Sequence, residues 1–299
     1  MDNQQYWEQA EAIRAIREKQ IFFVMGAPKS GTTWLQRLLD AHPEILCSGE
    51  GHFADTFAAR LSKLFEEYNN QQGIVRRQVY DDKPYYKPAS NQTFNFLMIS
   101  FISMMLGQRD IGPEIKCIGD KTPRSALYPE FFYRSFPNCK LIHIIRDGRD
   151  VVVSQLHHAY RAGYLKAIDP ATPDHLDFVE RYINMWASNV EKARDFGKMH
   201  PDAYVEVRYE DLHGQPNDEI KRVYRRLGCD ADDRMVADCV ERASFEKLSG
   251  GRKKGDEDKK AFLRRGMVGD GLKDLKEEAL GIIDQRAKKL LGSLNYHSA

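Results

Sequence analysis

The chain has 299 residues, with 45 Lys+Arg against 44 Asp+Glu and a net charge of +1 at neutral pH. That length can bury the core of one large α/β domain, and so even a balance excludes bulk attraction to nucleic acid or to an anionic membrane; any anion must be held by a local cluster. Cys47, Cys117, Cys139, Cys229 and Cys239 form no CxxC pair, which argues against a zinc site and for reduced, mostly buried thiols.

In chain order, MDNQQYWEQAEAIRAIREKQ (1–20) is polar with helical periodicity, unlike a signal peptide. IFFVM (21–25) reads as a strand running into a glycine-punctuated loop and an amphipathic helix. Residues 53–112 form an aromatic-rich insertion, expected as helices and a loop covering the sheet edge above the site, most of its aromatics packing between helices and a few lining the acceptor pocket. Within it FNFLMISFISMMLG (94–107) is the most apolar stretch. It falls short of the roughly 20 residues of a membrane span and holds Asn95, Ser100 and Ser103, so a buried helix is expected. The expected compartment is the cytoplasm.

EIKCIGD (114–120), KLIHII (140–145) and YVEVRY (204–209) read as further strands, each ending in a polar cluster and followed by a helical pattern. Such alternation predicts an α/β fold: a single domain over 1–299 with a central parallel sheet flanked by helices, P-loop-like, with ligands beyond the carboxyl ends of the strands. SGGRKKGDEDKKAFLRR (249–265) is glycine-bounded and highly charged, and is expected as a mobile basic loop.

Three clusters carry the chemistry. Gly26 and Gly31 have the spacing of the nucleotide loop GxxxxGK[ST], yet Thr32 stands where its lysine belongs and Lys29 lies inside the loop. Backbone amides there, with the hydroxyls of Ser30, Thr32 and Thr33 and the charge of Lys29, form a nest for a phosphate. Arg146 follows a strand, and Ser154 lies two helical turns on; together they suit a second, separate phosphate. Asp150 is expected to cap that helix or pair with an arginine. Phe262-Leu263-Arg264-Arg265-Gly266, with Gly269-Asp270, can clamp the same second anion. Two anion sites describe one nucleotide with phosphates on both its 5′ and 3′ sides.

PKSGTTW, IIRDGRDVVVS and FLRRGMVGD together resemble the motifs of the sulfotransferases that use 3′-phosphoadenosine 5′-phosphosulfate (PAPS). The resemblance implies that Lys29, Ser30, Gly31, Thr32, Thr33 and Trp34 bind the 5′-phosphosulfate, with Trp34 near the adenine. Arg146, Ser154, Arg264, Arg265 and Gly266 would hold the 3′-phosphate. Tyr209 would contact the base, and Phe245, in Ser244-Phe245-Glu246, would cover its other face. No metal is required. Gly271 replaces the tryptophan usual after GD, and Arg265 a usual lysine. Where the cytosolic branch carries a catalytic histidine in KTH, this chain has Asp120-Lys121-Thr122-Pro123, so the base must come from elsewhere.

HPEILCSGEGHF (42–53) is similar to a stretch of the tyrosylprotein sulfotransferases, in which Glu50 falls on the base glutamate and Lys121 on a lysine that steadies the sulfuryl oxygens. Glu50 sits in a small-residue turn that lets a substrate approach, and His52 is the second candidate base. The expected reaction is in-line transfer of a sulfuryl group to a hydroxyl (or amine) of a small molecule or peptide. The acceptor and the oligomeric state are not legible, although 160–173 is expected to help shape the pocket. A P-loop kinase or other NTP-dependent enzyme, and a non-catalytic nucleotide-binding protein, are the alternatives.

Overall fold

The computed structural model describes residues 2–165, 173–258, 261 and 263–296. Helix α1 (Asn3–Arg17) starts at a capping box, in which the Asp2 carboxylate accepts from the Gln5 amide while the Gln5 side chain accepts from the Asp2 amide. In chain order follow β1 (Gln20–Met25), α2 (Thr32–Asp40), β2 (Ile45–Ser48), a wide π-helical turn (Phe53–Ala58), α3 (Ala59–Val79), α4 (Asn91–Leu106) and β3 (Cys117–Lys121). A 3₁₀ turn (Pro123–Leu127), α5 (Pro129–Ser135), β4 (Lys140–Ile145), α6 (Gly148–Arg161), α7 (Pro173–Met199) and β5 (Tyr204–Arg208) come next. The chain closes with α8 (Tyr209–Gly214), α9 (Pro216–Leu227), α10 (Asp233–Arg242), α11 (Phe245–Leu248), α12 (Asp270–Asp274) and α13 (Glu277–Ser293).

The five strands pair in parallel in the order β2-β3-β1-β4-β5. β1 and β4 are buried on both faces, which is why they read as continuous apolar runs rather than as alternation. β2 was not expected; its four residues become a strand by pairing Ile45–Ser48 with Cys117–Asp120. Val24 is level with both Lys121 and Ile142, so the loops after β1, β3 and β4 open on one edge, with central β1 at the switch point of the order.

One face of the sheet (Phe22, Val24, Ile142, Ile144) packs on apolar residues of α2 and α9, and the other (Phe23, Ile118, Leu141) on Met98 and Ile102 of α4 and Phe132 of α5. A third cluster joins α6, α7 and α13 around Trp186, which is fully buried. The Trp186 indole N–H donates to the Arg146 carbonyl at 2.9 Å, fixing the chain where it leaves β4.

The 53–112 insertion is helical, but α4 is half-buried rather than buried. Met98, Ile102, Ser103 and Leu106 face inward while Phe96, Leu97 and Met104 are exposed. Tyr68, Tyr80, Tyr85 and Tyr86 are exposed too. In the 249–265 stretch the described residues fold back on themselves, Gly255 N–H donating to Arg265 O at 2.9 Å and Asp258 N–H to Arg264 O at 3.1 Å. Lys259, Lys260, Phe262 and 166–172 lie outside the described residues.

Candidate active site

The loop after β1 is built on close backbone approach. A Cβ on Gly26 would lie 2.4 Å from the Ile144 carbonyl oxygen. Lys29 and Gly31 both have positive φ, 74° and 95°, which curls the chain over the amino end of α2. A side chain at Gly31 would also strike the Tyr209 ring at 2.5 Å. Ser30 is fully buried and its Oγ has no hydrogen-bond partner, as is true of buried Arg146 Nε. Buried polar atoms are nearly always satisfied; Arg146 lines the site, so its unpartnered Nε fits an anion bound there, while the Ser30 hydroxyl lies beneath the loop, off the cavity wall. Burial above all, then the neighbouring Arg161 charge, lowers the Lys29 pKa to about 8, against a raising influence from Glu50.

At the other end the Arg146 guanidinium lies 4.4 Å over the Tyr209 ring and donates from Nη2 to Asp150 at 3.1 Å and to the Met267 carbonyl at 2.9 Å. Asp150 therefore pairs with an arginine, while the helix cap is Asp147, accepting from the Arg149 amide. Asp150 also accepts from the Gly269 and Gly271 amides at 2.9 and 2.7 Å, tying the second cluster to the third. Arg264 pairs with Asp270 and, at 2.8 Å, with Glu257; Arg265 lies 3.4 Å from Asp270. Gly266 has a φ of 65°, and a Cβ there would meet the Phe245 ring at 2.6 Å. A Cβ on Gly271 would meet the Arg149 backbone at 2.5 Å, so the missing tryptophan has no space at this position.

Both ends open into one cavity of about 440 Å³. Lys29, Gly31, Thr32, Thr33 and Trp34 line it from the loop; Arg146 and Ser154 from the second cluster; Arg264, Arg265 and Gly266 from the third. Tyr209 and Phe245 supply the apolar walls, and Trp34 packs edge-on against Tyr209 at 5.6 Å while its indole donates to the Ala243 carbonyl. Three expected residues lie elsewhere. Ser30 is beneath the loop, Ser244 caps α11 by accepting from the Lys247 amide, and Lys121 stands behind Glu50. No described residue of 53–112 or 160–173 lines the cavity.

Glu50 and His52 also stand on its wall. Lys121 Nζ is 2.5 Å from Glu50 Oε1, so its charge acts through the carboxylate rather than on the cavity directly. His52 Nε2 is 3.4 Å from Glu50 Oε2, and its Nδ1 is 3.0 Å from Asp55. The turn is stitched to the end of β3: the Gly51 amide donates to Asp120 at 2.9 Å, the His52 amide to Thr122 Oγ1 at 3.3 Å, and the Thr122 hydroxyl to Asp120 at 2.7 Å. Burial raises the Asp120 pKa to about 6, against the hydrogen bonds from Thr122 and Gly51. Asp55, Asp120 and the cavity residues Arg124, Gln155, His158 and His213 were not singled out from the sequence; of these only Asp55, three residues after His52, offered a spacing signal.

His42, Glu44 and Cys229 bring ligand atoms within 4.8 Å of one another, away from this cavity. Each of the first two is already engaged. His42 Nδ1 accepts from the Glu44 amide, His42 Nε2 meets the Asp230 carbonyl, and Glu44 pairs with Lys116.

Residues 21–233 match the profile of the Sulfotransferase family. Protein-tyrosine sulfotransferase A of Caenorhabditis elegans is 26% identical over 228 residues, which is 74% of this chain and 53% of that protein, so the chain spans about half of its length. Sulfotransferase 1C2 of Rattus norvegicus is 23% identical over 278 residues, covering 88% of this chain and 80% of its own. Among solved structures, mouse sulfotransferase SULT7A1 complexed with PAP superposes with a TM-score of 0.57 at 18% identity, over 94% of this chain and 88% of that one. The sulfotransferase domain from the curacin biosynthetic pathway gives 0.53 at 18% identity, over 94% and 99%. The folds agree, the family profile spans more than half of the sequence, and the chain belongs to the sulfotransferase family.

Proposed function

We propose that this chain moves a sulfuryl group from PAPS to an acceptor hydroxyl by in-line displacement, with Glu50 taking the acceptor's proton. The observation that carries the reading is a single cavity with a cationic, amide-lined loop at one end, three arginines at the other, and Glu50 on the wall beside Lys29. The donor supplies the activated sulfuryl group and a phosphate leaving group. Lys29 and the loop amides meet the charge that grows on the leaving oxygen, where fixed dipoles cost no reorganisation. Arg146, Ser154, Arg264, Arg265 and the Gly266 backbone hold the 3′-phosphate, and Tyr209, Phe245 and Trp34 hold the base. Lys121 fixes the Glu50 carboxylate.

A sulfuryl group in flight bears less negative charge than a phosphoryl group, so lysine and amide dipoles replace the magnesium clamp of kinases. The acceptor is a small molecule or peptide bearing a hydroxyl. The test is calorimetry with 3′-phosphoadenosine 5′-phosphate against ATP with magnesium, followed by radiolabelled sulfuryl transfer to phenol and peptide acceptors with and without a chelator. Tight binding of the bisphosphate nucleotide and chelator-insensitive transfer support the proposal; preferential binding of magnesium ATP overturns it.

A further inference from the structure

We propose that Asp55, His52 and Glu50 form a proton relay, in which Asp55 is a positioning residue that fixes the His52 ring so that it can draw the acceptor's proton off Glu50. The inference rests on the reading of Glu50 as the base and adds what becomes of the proton. Its first support is the order of burial. The Asp55 side chain is 9% exposed, while those of His52 and Glu50 are 42% and 43% exposed on the cavity wall. A carboxylate thus lies behind an imidazole, which lies beside a second carboxylate facing substrate.

The second support is donor and acceptor bookkeeping on the ring. Both Asp55 oxygens lie within hydrogen-bond reach of His52 Nδ1, at 3.0 and 3.2 Å. An ionised carboxylate only accepts, so Nδ1 carries the hydrogen. With the ring in its neutral form, the Nε2 lone pair faces Glu50 Oε2, which is 3.4 Å away. Two acceptors face each other there, and the edge closes only when one proton enters it. Turnover delivers that proton. The acceptor O–H bond breaks as its oxygen bonds sulfur, the sulfur–oxygen bond to the 5′-phosphate breaks, and an O–H bond forms on Glu50. That bond in turn breaks as Nε2–H forms, leaving an imidazolium between Asp55 and Glu50 and restoring the Glu50 carboxylate. The half-exposed ring then returns the proton to water.

The third support is backbone construction. His52 has a φ of 47°, in the left-handed region unfavourable for a residue with a side chain. It is held there by its amide on Thr122 and by its carbonyl, which accepts from the Thr56 and Phe57 amides at 3.2 and 3.1 Å. Those bonds open the π-helical turn that brings Asp55 beneath the ring, and a Cβ on Gly51 would strike the Phe53 ring at 2.4 Å. Unfavourable dihedrals fixed by several independent contacts mark functional geometry. Arg124 Nε lies 3.8 Å from Asp55 Oδ2, too far to take over the hydrogen bond to His52.

The experiment compares wild type, Asp55→Asn, His52→Gln and Glu50→Gln. Nitrogen NMR of the His52 ring, with the His52→Gln spectrum giving its assignment, is expected to show the Nδ1–H tautomer in wild type and a shift toward Nε2–H in Asp55→Asn. With radiolabelled donor and unsubstituted phenol, which stays protonated at neutral pH, as acceptor, Asp55→Asn is expected to lower kcat roughly 10- to 100-fold, part of the general-base contribution, with the donor KM unchanged within about twofold. An Nε2–H ring in wild type, or a ring and a kcat indifferent to Asp55→Asn, overturns the relay. Full turnover by Glu50→Gln instead overturns the base assignment on which it rests, so the two failures are told apart.

Discussion

Replacing Lys29 with Met is expected to stabilise the ligand-free protein while weakening its affinity for the donor. Burial, reinforced by the Arg161, Arg146 and Lys121 charges, lowers the Lys29 pKa from 10.5 to about 8. At about 1.36 kcal/mol per unit, keeping this ammonium charged inside the folded loop costs about 3 kcal/mol at neutral pH. Because the folded value lies below the unfolded one, the unfolded chain holds the extra proton between pH 8 and 10.5. The cost is therefore fully present below about pH 8 and vanishes as pH rises through that window. Methionine keeps the length and the left-handed φ of the position but removes the charge. Roughly 2–3 kcal/mol of stabilisation corresponds to a rise of several degrees in Tm for a domain of this size. Denaturant melts of both proteins from pH 7 to 10 read the effect as a gap that closes with rising pH, and calorimetry with 3′-phosphoadenosine 5′-phosphate reads the weakened affinity. A variant no more stable than wild type at pH 7, or a gap that does not narrow toward pH 10, refutes the reasoning.

Glu50→Gln is expected to lower kcat by about 10²–10⁴ with nucleotide affinity retained, measured by transfer assay and calorimetry. Arg146→Ala removes a buried guanidinium from the far end of the cavity and is expected to weaken binding of the bisphosphate nucleotide by about 1.5–3 kcal/mol, read as a Kd ratio. Gly266→Ala meets both a left-handed φ and the Phe245 ring, and is expected to cost about 1–3 kcal/mol of stability together with part of the nucleotide affinity, read by thermal melts with and without ligand.

The parts of the fold legible in the sequence were those whose signal is local. β1, β3, β4 and β5 announce themselves as apolar runs cut off by polar clusters, and glycines marked the loop because two of its positions need a positive φ or close approach. β2 was not legible, since Ile45–Ser48 is an edge strand only by virtue of β3, whose Cys117 is the partner of Ile45, 72 residues on. Of the aromatics in 53–112, expected mostly to pack between helices with a few at the pocket, Phe57, Phe94 and Phe101 do pack on the core, whereas Tyr85, Tyr86 and Phe96 are exposed, because composition carries no information about which side of a segment meets the sheet. Within the site, the separate motifs were readable and their bonds to one another were not. Asp150 joins Arg146 to Gly269 and Gly271, and Lys121 pairs with Glu50, contacts that span long stretches of sequence. Asp55 was hidden behind a π turn that no helical period encodes.

The two ends of the cavity are electrostatically different, and the difference assigns them different work. At the 3′ end every arginine already has a carboxylate: Arg146 has Asp150, Arg264 has Asp270 and Glu257, and Arg265 has Asp270. Asp150 and Asp270 are almost fully buried, and Asp150 also accepts backbone amides, so they hold the guanidinium groups in place whether or not a phosphate is present. Glu257 is a third exposed and is the acid a phosphate can displace. Under the proposed function such an end would bind by pre-arranged geometry, with contacts equal in the ground and transition states. The loop end instead sets Lys29, whose charge burial disfavours, beside the amides of the turn. Those groups gain most when negative charge is greatest, which in sulfuryl transfer is when the bridging bond breaks. Loss of an arginine at the first end should therefore appear in Kd, and loss of Lys29 in kcat as well as Kd. This asymmetry explains why the loop's lysine sits inside the turn rather than after its second glycine.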